Sequence, residues 1–197
     1  IAIAGFAKRI RRLLEEGDYP SKKEKVDQAL EIVLQETTRI QELALTLYEE
    51  GRGEILDLTE KLKRRFLINA EAMQELKREN IRVNKLDLES PLPIRCSPLL
   101  LDRVLDNLLT NASKAIPEEG GDLSIRSYRK DSWAVAEISN TGQIPEEDKE
   151  RCLRGEASGR GLHITTRLAK QMGGKIELES KDGRTTFRVM YPLIEDH

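Results

Sequence analysis

Cysteine is scarce in this 197-residue chain, which has two, Cys96 and Cys152, in unrelated contexts. They supply neither a disulfide framework nor metal-ligand spacing, so a reducing compartment is the expectation. Aromatic residues make up only 4%, too few for the core of an all-β barrel. Neither sign of charge prevails: 33 Lys and Arg against 35 Asp and Glu leave a formal net charge of -2. There is therefore no bulk attraction to nucleic acid or to an anionic membrane. No apolar run is long enough to cross a bilayer. The opening IAIAGFAKRI has no initiator Met and no signal-peptide layout, and the chain reads as part of something longer.

What the chain does have is charge, 35% of all residues, arranged along long helical periods. Ile3, Phe6, Ile10 and Leu13 recur at helical spacing over residues 1–14. Gly17 and Pro20 break that helix, and Ser21 can cap the next. From about Lys22 to Glu50 an apolar stripe of Val26, Leu30, Val33, Leu34, Ile40, Leu43, Ala44 and Leu47 runs without Gly or Pro. A helix of about 29 residues spans roughly 44 Å. Such a stripe needs more cover than one partner helix gives, so residues 1–50 are expected to form a helical hairpin that dimerises as a four-helix bundle. A monomeric hairpin packed on the domain behind it is the alternative.

GRGE at 51–54 reads as a hinge. Beyond it, residues 55–80 have the pattern of an amphipathic helix, 81–88 alternate as a strand, and PLPIRCS is a short extended piece. A capped helix follows from about Pro98 to Ala115. Two strands then turn at Lys130–Asp131, and a loop ends in glycines. The helix GLHITTRLAKQMGG closes on Gly173 and Gly174, and a final hairpin turns at KDGR. The fold class expected is α+β: the helical hairpin at 1–50, then a two-layer α/β sandwich over 55–197 with its helices on one face.

Three segments carry chemistry. In DNLLTNASKAI, Asn107, Asn111 and Lys114 share one stripe of a helix bound for the core. Asn is a poor helix former, so the stripe is either a polar network stitching the helix to its surroundings or the lining of a pocket. ISNTG ends a strand on a glycine turn at Gly142. SGRGLHI opens a helix with glycines, an arrangement that presents backbone N–H groups to phosphate. An Asn oxygen can also ligate Mg2+, which shares phosphates with a protein.

This set, in this order, resembles the catalytic core of sensor histidine kinases in the GHKL ATPase superfamily. Asn107, Leu108, Leu109, Asn111, Ala112 and Lys114 match the family's N box, NLLxNAxK, and QMGGKIELESKDGRTTFRVMYPL is similar to its closing helix and hairpin. Residues 1–50 resemble the dimerisation and phosphotransfer hairpin. The resemblance implies ATP and Mg2+ as cofactors, with Asn111 ligating Mg2+ and Asn107 and Lys114 on the phosphates. Asn140, Gly142 and Thr185 would lie at the base, and Gly159, Arg160, Gly161 and Leu162 at the nucleotide-binding loop. Arg154 or Arg160 would add positive charge. It further implies a homodimer through residues 1–50, a response-regulator receiver domain as partner, and a cytoplasmic location with any membrane contact through upstream segments absent here.

The family's acceptor His is missing, since neither His163 nor His197 fits its motif; either the sequence starts past it or the protein has lost it. The family's adenine-reading Asp is Asn140 here, Gln143 replaces a further Gly, and His163 interrupts the Gly-rich helix start. The loop over 143–158 is short and has no Phe. Two readings are open: an ATP-dependent histidine kinase passing the γ-phosphoryl to His and then to a regulator Asp, or a degenerate, nucleotide-independent scaffold that binds a response regulator.

Overall fold

The structure, a computed structural model, describes residues 53–75, 81–145 and 161–194, with residues 10, 25–30, 32, 33, 37 and 40 before them. The chain divides into two compact units, 1–51 and 52–197. In the first, all the described residues are helical. Val26 and Ala29 are buried, whereas Leu30 and Ile40 of the apolar stripe are 43% and 55% exposed. Most of the expected hairpin lies outside the described residues.

The second unit opens on strand β1 (Glu54–Asp57), where the sequence pattern implied the start of a helix. Leu56 and the apolar positions after it fit a helical period, but Asp57 ends the extended piece and caps the helix beyond it. Its carboxylate accepts from the backbone N–H of Thr59 at 2.9 Å and of Leu92 at 3.0 Å, and from the Ser90 hydroxyl at 2.5 Å. Helix α1 (Leu58–Glu75) therefore starts three residues later than expected, and β1 pairs antiparallel with β3 (Pro93–Cys96) in a small sheet of its own.

Helix α2 (Pro98–Lys114) follows the local rules closely. Ser97 is its N-cap, accepting from Leu100 N–H, and Pro98 stands where a missing donor costs nothing. The helix buries Leu100, Leu101, Val104, Leu105, Leu108, Leu109 and Ala112. Each large side chain among them contributes about 1.5–3 kcal/mol of gross burial energy. This stripe anchors α2 to the sheet and turns the 107–111–114 stripe to its flank.

The main sheet has the order β2-β4-β5-β7-β6, formed by β2 (Ile81–Leu88), β4 (Gly121–Lys130), β5 (Trp133–Thr141), β7 (Arg184–Pro192) and β6 (Lys175–Lys181). β2 runs parallel to β4 and the other pairs are antiparallel. Both hairpins turn through an aspartate at positive φ, Asp131 and Asp182, a conformation Asp tolerates better than most residues. Cross-strand register sorts the side chains. Ile125, Ile138 and Phe187 share one face, with Ala136 and Val189 beside them, and all are buried. Helices α1 and α2 lie against that face at β4 and β5, and α3 (Gly161–Gln171) lies against β6. The other face carries Arg126, Glu137, Arg188 and Glu177 in register across four strands. Glu137 there accepts from Arg188 Nε at 2.7 Å. The helices are thus on one side of the sheet, as the strand patterning implies.

A polar ladder joins α1 to α2. Lys61 pairs with Asp102, Arg65 with Asp106, and Asn69 with Thr110. Both series advance by four residues in the same direction, so the two helices run parallel.

Candidate nucleotide site

The C-terminal end of α2 meets the end of β5. Gly142 is the point of contact: its φ is +121°, and a Cβ there would lie 2.6 Å from the carbonyl oxygen of Ala115, the C-cap of α2. Only glycine satisfies both conditions. Its N–H donates to Gly183 O at 2.8 Å, and Gln143 accepts from Gly183 N–H at 3.1 Å. The residue that departs from the family pattern, Gln143, thus ties the end of β5 to the β6–β7 turn.

Asn140, two residues before Gly142, is fully buried. Its Nδ2 donates to Thr141 O at 2.8 Å, whereas its Oδ1 is buried with no hydrogen-bond partner among the described residues. Such an atom costs of the order of 1–3 kcal/mol unless a partner arrives. Thr185 is opposite Asn140 in the β5–β7 register and is also buried. Its hydroxyl bonds to Gly142 O and Ser180 Oγ, each at 2.9 Å, and Ser180 also accepts from Ile144 N–H at 2.8 Å. Asn140, Gly142 and Thr185 are therefore one cluster.

On α2, Asn107 is half-buried and donates through Nδ2 to Thr165 Oγ1 of α3 at 3.2 Å. Asn111 is half-buried and Lys114 is exposed in the last turn. Among the described residues, no hydrogen bond or ion pair engages the side chain of Asn111 or Lys114. The three N-box residues do not satisfy one another, and only Asn107 is tied to another element. Gly161 begins α3 and Leu162 is buried in it. Gly159, Arg160 and Arg154 lie outside the described residues, as does the side chain of His163. Thr165 gave no motif signal, although a polar residue on the buried stripe of Leu162, Leu168 and Ala169 marks it in retrospect.

Asp122 borders the cluster, with its N–H donating to Thr141 Oγ1 at 2.9 Å. Arg82, and more weakly Arg184, hold its carboxyl below the usual carboxylate range. No group of three or more His, Cys, Asp or Glu that could hold a metal occurs among the described residues. The metal-ligating atoms available are neutral carboxamide oxygens, and the Lys114 ammonium can only meet phosphate. This set suits Mg2+ carried in on phosphates, because that ion keeps few protein ligands, and the buried Asn140 Oδ1 suits a base bearing an amino group. The residues fit Mg2+ with an adenine nucleotide: Asn111 and Asn107 could hold the metal–phosphate end and Asn140 the base.

A mixed five-stranded sheet backed on one face by helices, with a carboxamide stripe on the helix that meets a buried Asn at a strand end, defines an ATP-binding domain of the GHKL type. Residues 96–195 match the family described as histidine kinase-, DNA gyrase B- and HSP90-like ATPase, and the chain belongs to that family. It is 32% identical over 117 residues to the sensor protein VanS of Enterococcus faecium, covering 53% of this chain and 30% of that protein. It is 32% identical over 119 residues to the sensor histidine kinase DcuS of Escherichia coli, covering 54% and 22%. The chain therefore spans less than a third of the length of these curated relatives. The solved catalytic domain of histidine kinase ThkA superposes with a TM-score of 0.64 at 23% identity, covering 74% of this chain and 99% of that one. That likeness shows the fold.

Proposed function

We propose that the chain is the ATP-binding catalytic domain, with part of the dimerisation and phosphotransfer hairpin, of a sensor histidine kinase in a two-component system. ATP with Mg2+ would bind between the C-terminal half of α2, the Asn140 cluster and the start of α3. The γ-phosphoryl would pass to an imidazole supplied outside this sequence, the bond from the γ-phosphorus to the bridging oxygen breaking as the nitrogen–phosphorus bond forms and ADP leaves. It would then pass to an aspartate of a response regulator, the nitrogen–phosphorus bond breaking as the carboxylate oxygen bonds phosphorus and the imidazole is released. Mg2+ supplies charge neutralisation of the phosphates. This chain's residues position the nucleotide: Asn140 Oδ1 accepts from the base, Asn111 and Asn107 meet the metal–phosphate end, and Lys114 adds positive charge.

The observation that carries this reading is the buried, unpartnered Oδ1 of Asn140 beside Thr185 and Gly142. Dimerisation through residues 1–50 is part of the proposal, supported by exposed Leu30 and Ile40 on the helical stripe. Asn140 is also what favours the second reading, a nucleotide-independent adaptor, since a neutral amide holds adenine less strongly than a carboxylate would. Calorimetry with a non-hydrolysable ATP analogue, with and without Mg2+, separates the two. Mg2+-dependent binding is expected, and no binding at millimolar analogue would leave the adaptor.

A further inference from the structure

The bond between Asn107 and Thr165 links the N-box helix to the helix that follows the glycine-rich segment, and neither residue is at an element end. Asn107 lies in the middle of α2 and Thr165 is the fifth residue of α3. Thr165 is fully buried, and Asn107 keeps part of its surface open. A carboxamide has two chemically opposite ends, and its orientation is set by whatever one end binds. Here the hydroxyl of Thr165 accepts from Nδ2 at 3.2 Å. The amide end is thus committed to α3, which leaves Oδ1 and the second N–H for another partner. Asn140 is oriented the same way, with Nδ2 on a protein oxygen and Oδ1 unpartnered. Two carboxamides in one site have their amide ends held by protein oxygens.

We infer that Thr165 is a positioning residue for Asn107. It holds the carboxamide with its oxygen available to Mg2+ at the phosphate end of the nucleotide, a metal-facing role in place of the phosphate contact that the family resemblance implies for Asn107, and so makes the N box sensitive to the placement of α3. Without it the carboxamide can rotate and present its amide end to the metal, which an amide nitrogen does not ligate. The inference rests on the nucleotide-binding reading above and adds a residue that no N-box pattern contains. Thr165 takes part in a further interaction of its own, so a single substitution does not isolate the contact with Asn107, whereas a double-mutant cycle does.

The test uses the full chain and a non-hydrolysable ATP analogue in calorimetry, with Mg2+ and with chelator. The proteins are the wild type, Thr165→Val, Thr165→Ser, Asn107→Ala and the Thr165→Val/Asn107→Ala double variant. Valine keeps the shape and removes the hydroxyl. It should weaken binding in Mg2+ about fivefold, the worth of one ordinary hydrogen bond, and leave binding in chelator unchanged. Serine should restore wild-type affinity. The double variant should bind like Asn107→Ala alone. Additive losses, a loss equal with and without Mg2+, or wild-type affinity in Thr165→Val would each overturn the positioning role while the nucleotide-binding reading stands. A wild-type protein that binds no analogue would overturn both.

Discussion

Asn140 and Thr185 face each other across β5 and β7, both buried, and only one of them is satisfied: Thr185 has Gly142 O and Ser180 Oγ, while Asn140 Oδ1 has no partner among the described residues. That asymmetry yields a prediction about the base. Asn140→Asp should tighten ATP binding about fivefold, because a carboxylate accepts a charge-assisted bond roughly twice as strong as a neutral one. GTP, which presents a carbonyl at the same place, should not gain. The carboxylate would also set an oxygen against Thr141 O in place of the Nδ2 donor, so the nucleotide-free variant should melt a few degrees lower. Differential scanning fluorimetry with each nucleotide reads both effects. Equal changes for ATP and GTP would place Asn140 away from the base.

Among the described residues, Asn111 has no partner to lose. Asn111→Ala should abolish Mg2+-dependent binding of an ATP analogue and shift stability by no more than about 0.5 kcal/mol, since this half-buried side chain has no hydrogen bond among the described residues to lose. A melting temperature lowered by several degrees would make Asn111 a structural residue instead.

Asp106 is the opposite case. It accepts from Arg65 Nε at 2.7 Å and from Asn69 Nδ2 at 2.9 Å, and Arg65 is only 21% exposed. Asp106→Ala should cost about 2 kcal/mol, because a mostly buried guanidinium loses its carboxylate, while Asn69 Nδ2 keeps only its bond to Arg65 O. Urea denaturation measures it. The Arg65→Asp/Asp106→Arg exchange should recover part of the loss, and no recovery would deny a specific pair.

How much of this is legible in the sequence varies by element. Helix α2 can be read from Ser97, Pro98 and an apolar stripe because every local signal agrees with its tertiary role. β1 cannot, since four residues with one helical-looking period are claimed by a long-range partner, β3, and by Asp57 reaching Leu92. The parallel pairing of β2 with β4 is likewise a matter of topology, which alternation does not encode. At the site, Asn107, Asn111 and Asn140 are visible as polar residues where apolar ones belong. Thr165 carries the same mark but sits beside Thr166 in a helix, where a hydroxyl usually bonds its own backbone, as Thr166 does to Leu162 O at 2.9 Å.

Burial pushes the Cys96 thiol up to about 12. At pH 8 roughly one molecule in 10,000 would carry the thiolate, so alkylation of Cys96 should be very slow in the folded protein and fast in urea. A Cys152→Ser background isolates it in mass spectrometry. Rapid native labelling would show that this part of the core opens readily.

Hydrogen bonds from Lys181 and Arg188 lower the Glu179 carboxyl to about 2, from an ordinary 4.5. The sign is that of a depressed acid: its contribution is complete above pH 4.5 and is lost as the pH falls toward 2. Glu179→Gln should flatten the stability profile within that window and leave it parallel to the wild type above pH 6. The effect should be small and weaken with salt, since the group is exposed.

The ladder between α1 and α2 works like the teeth of a rack. Lys61, Arg65 and Asn69 oppose Asp102, Asp106 and Thr110 at equal spacing. A slip of one turn, about 5.4 Å, would still set Arg65 against Asp102 and Asn69 against Asp106. The ladder therefore holds the two helices together without fixing where along their length they engage. That setting is made at one end, where Asp57 clasps Leu92 N–H, Thr59 N–H and Ser90 in a single carboxylate. The alignment of the N-box helix with its neighbour is an index set at that end, by Asp57 together with the pairing of β1 with β3 and the bond from Leu58 N–H to Leu92 O.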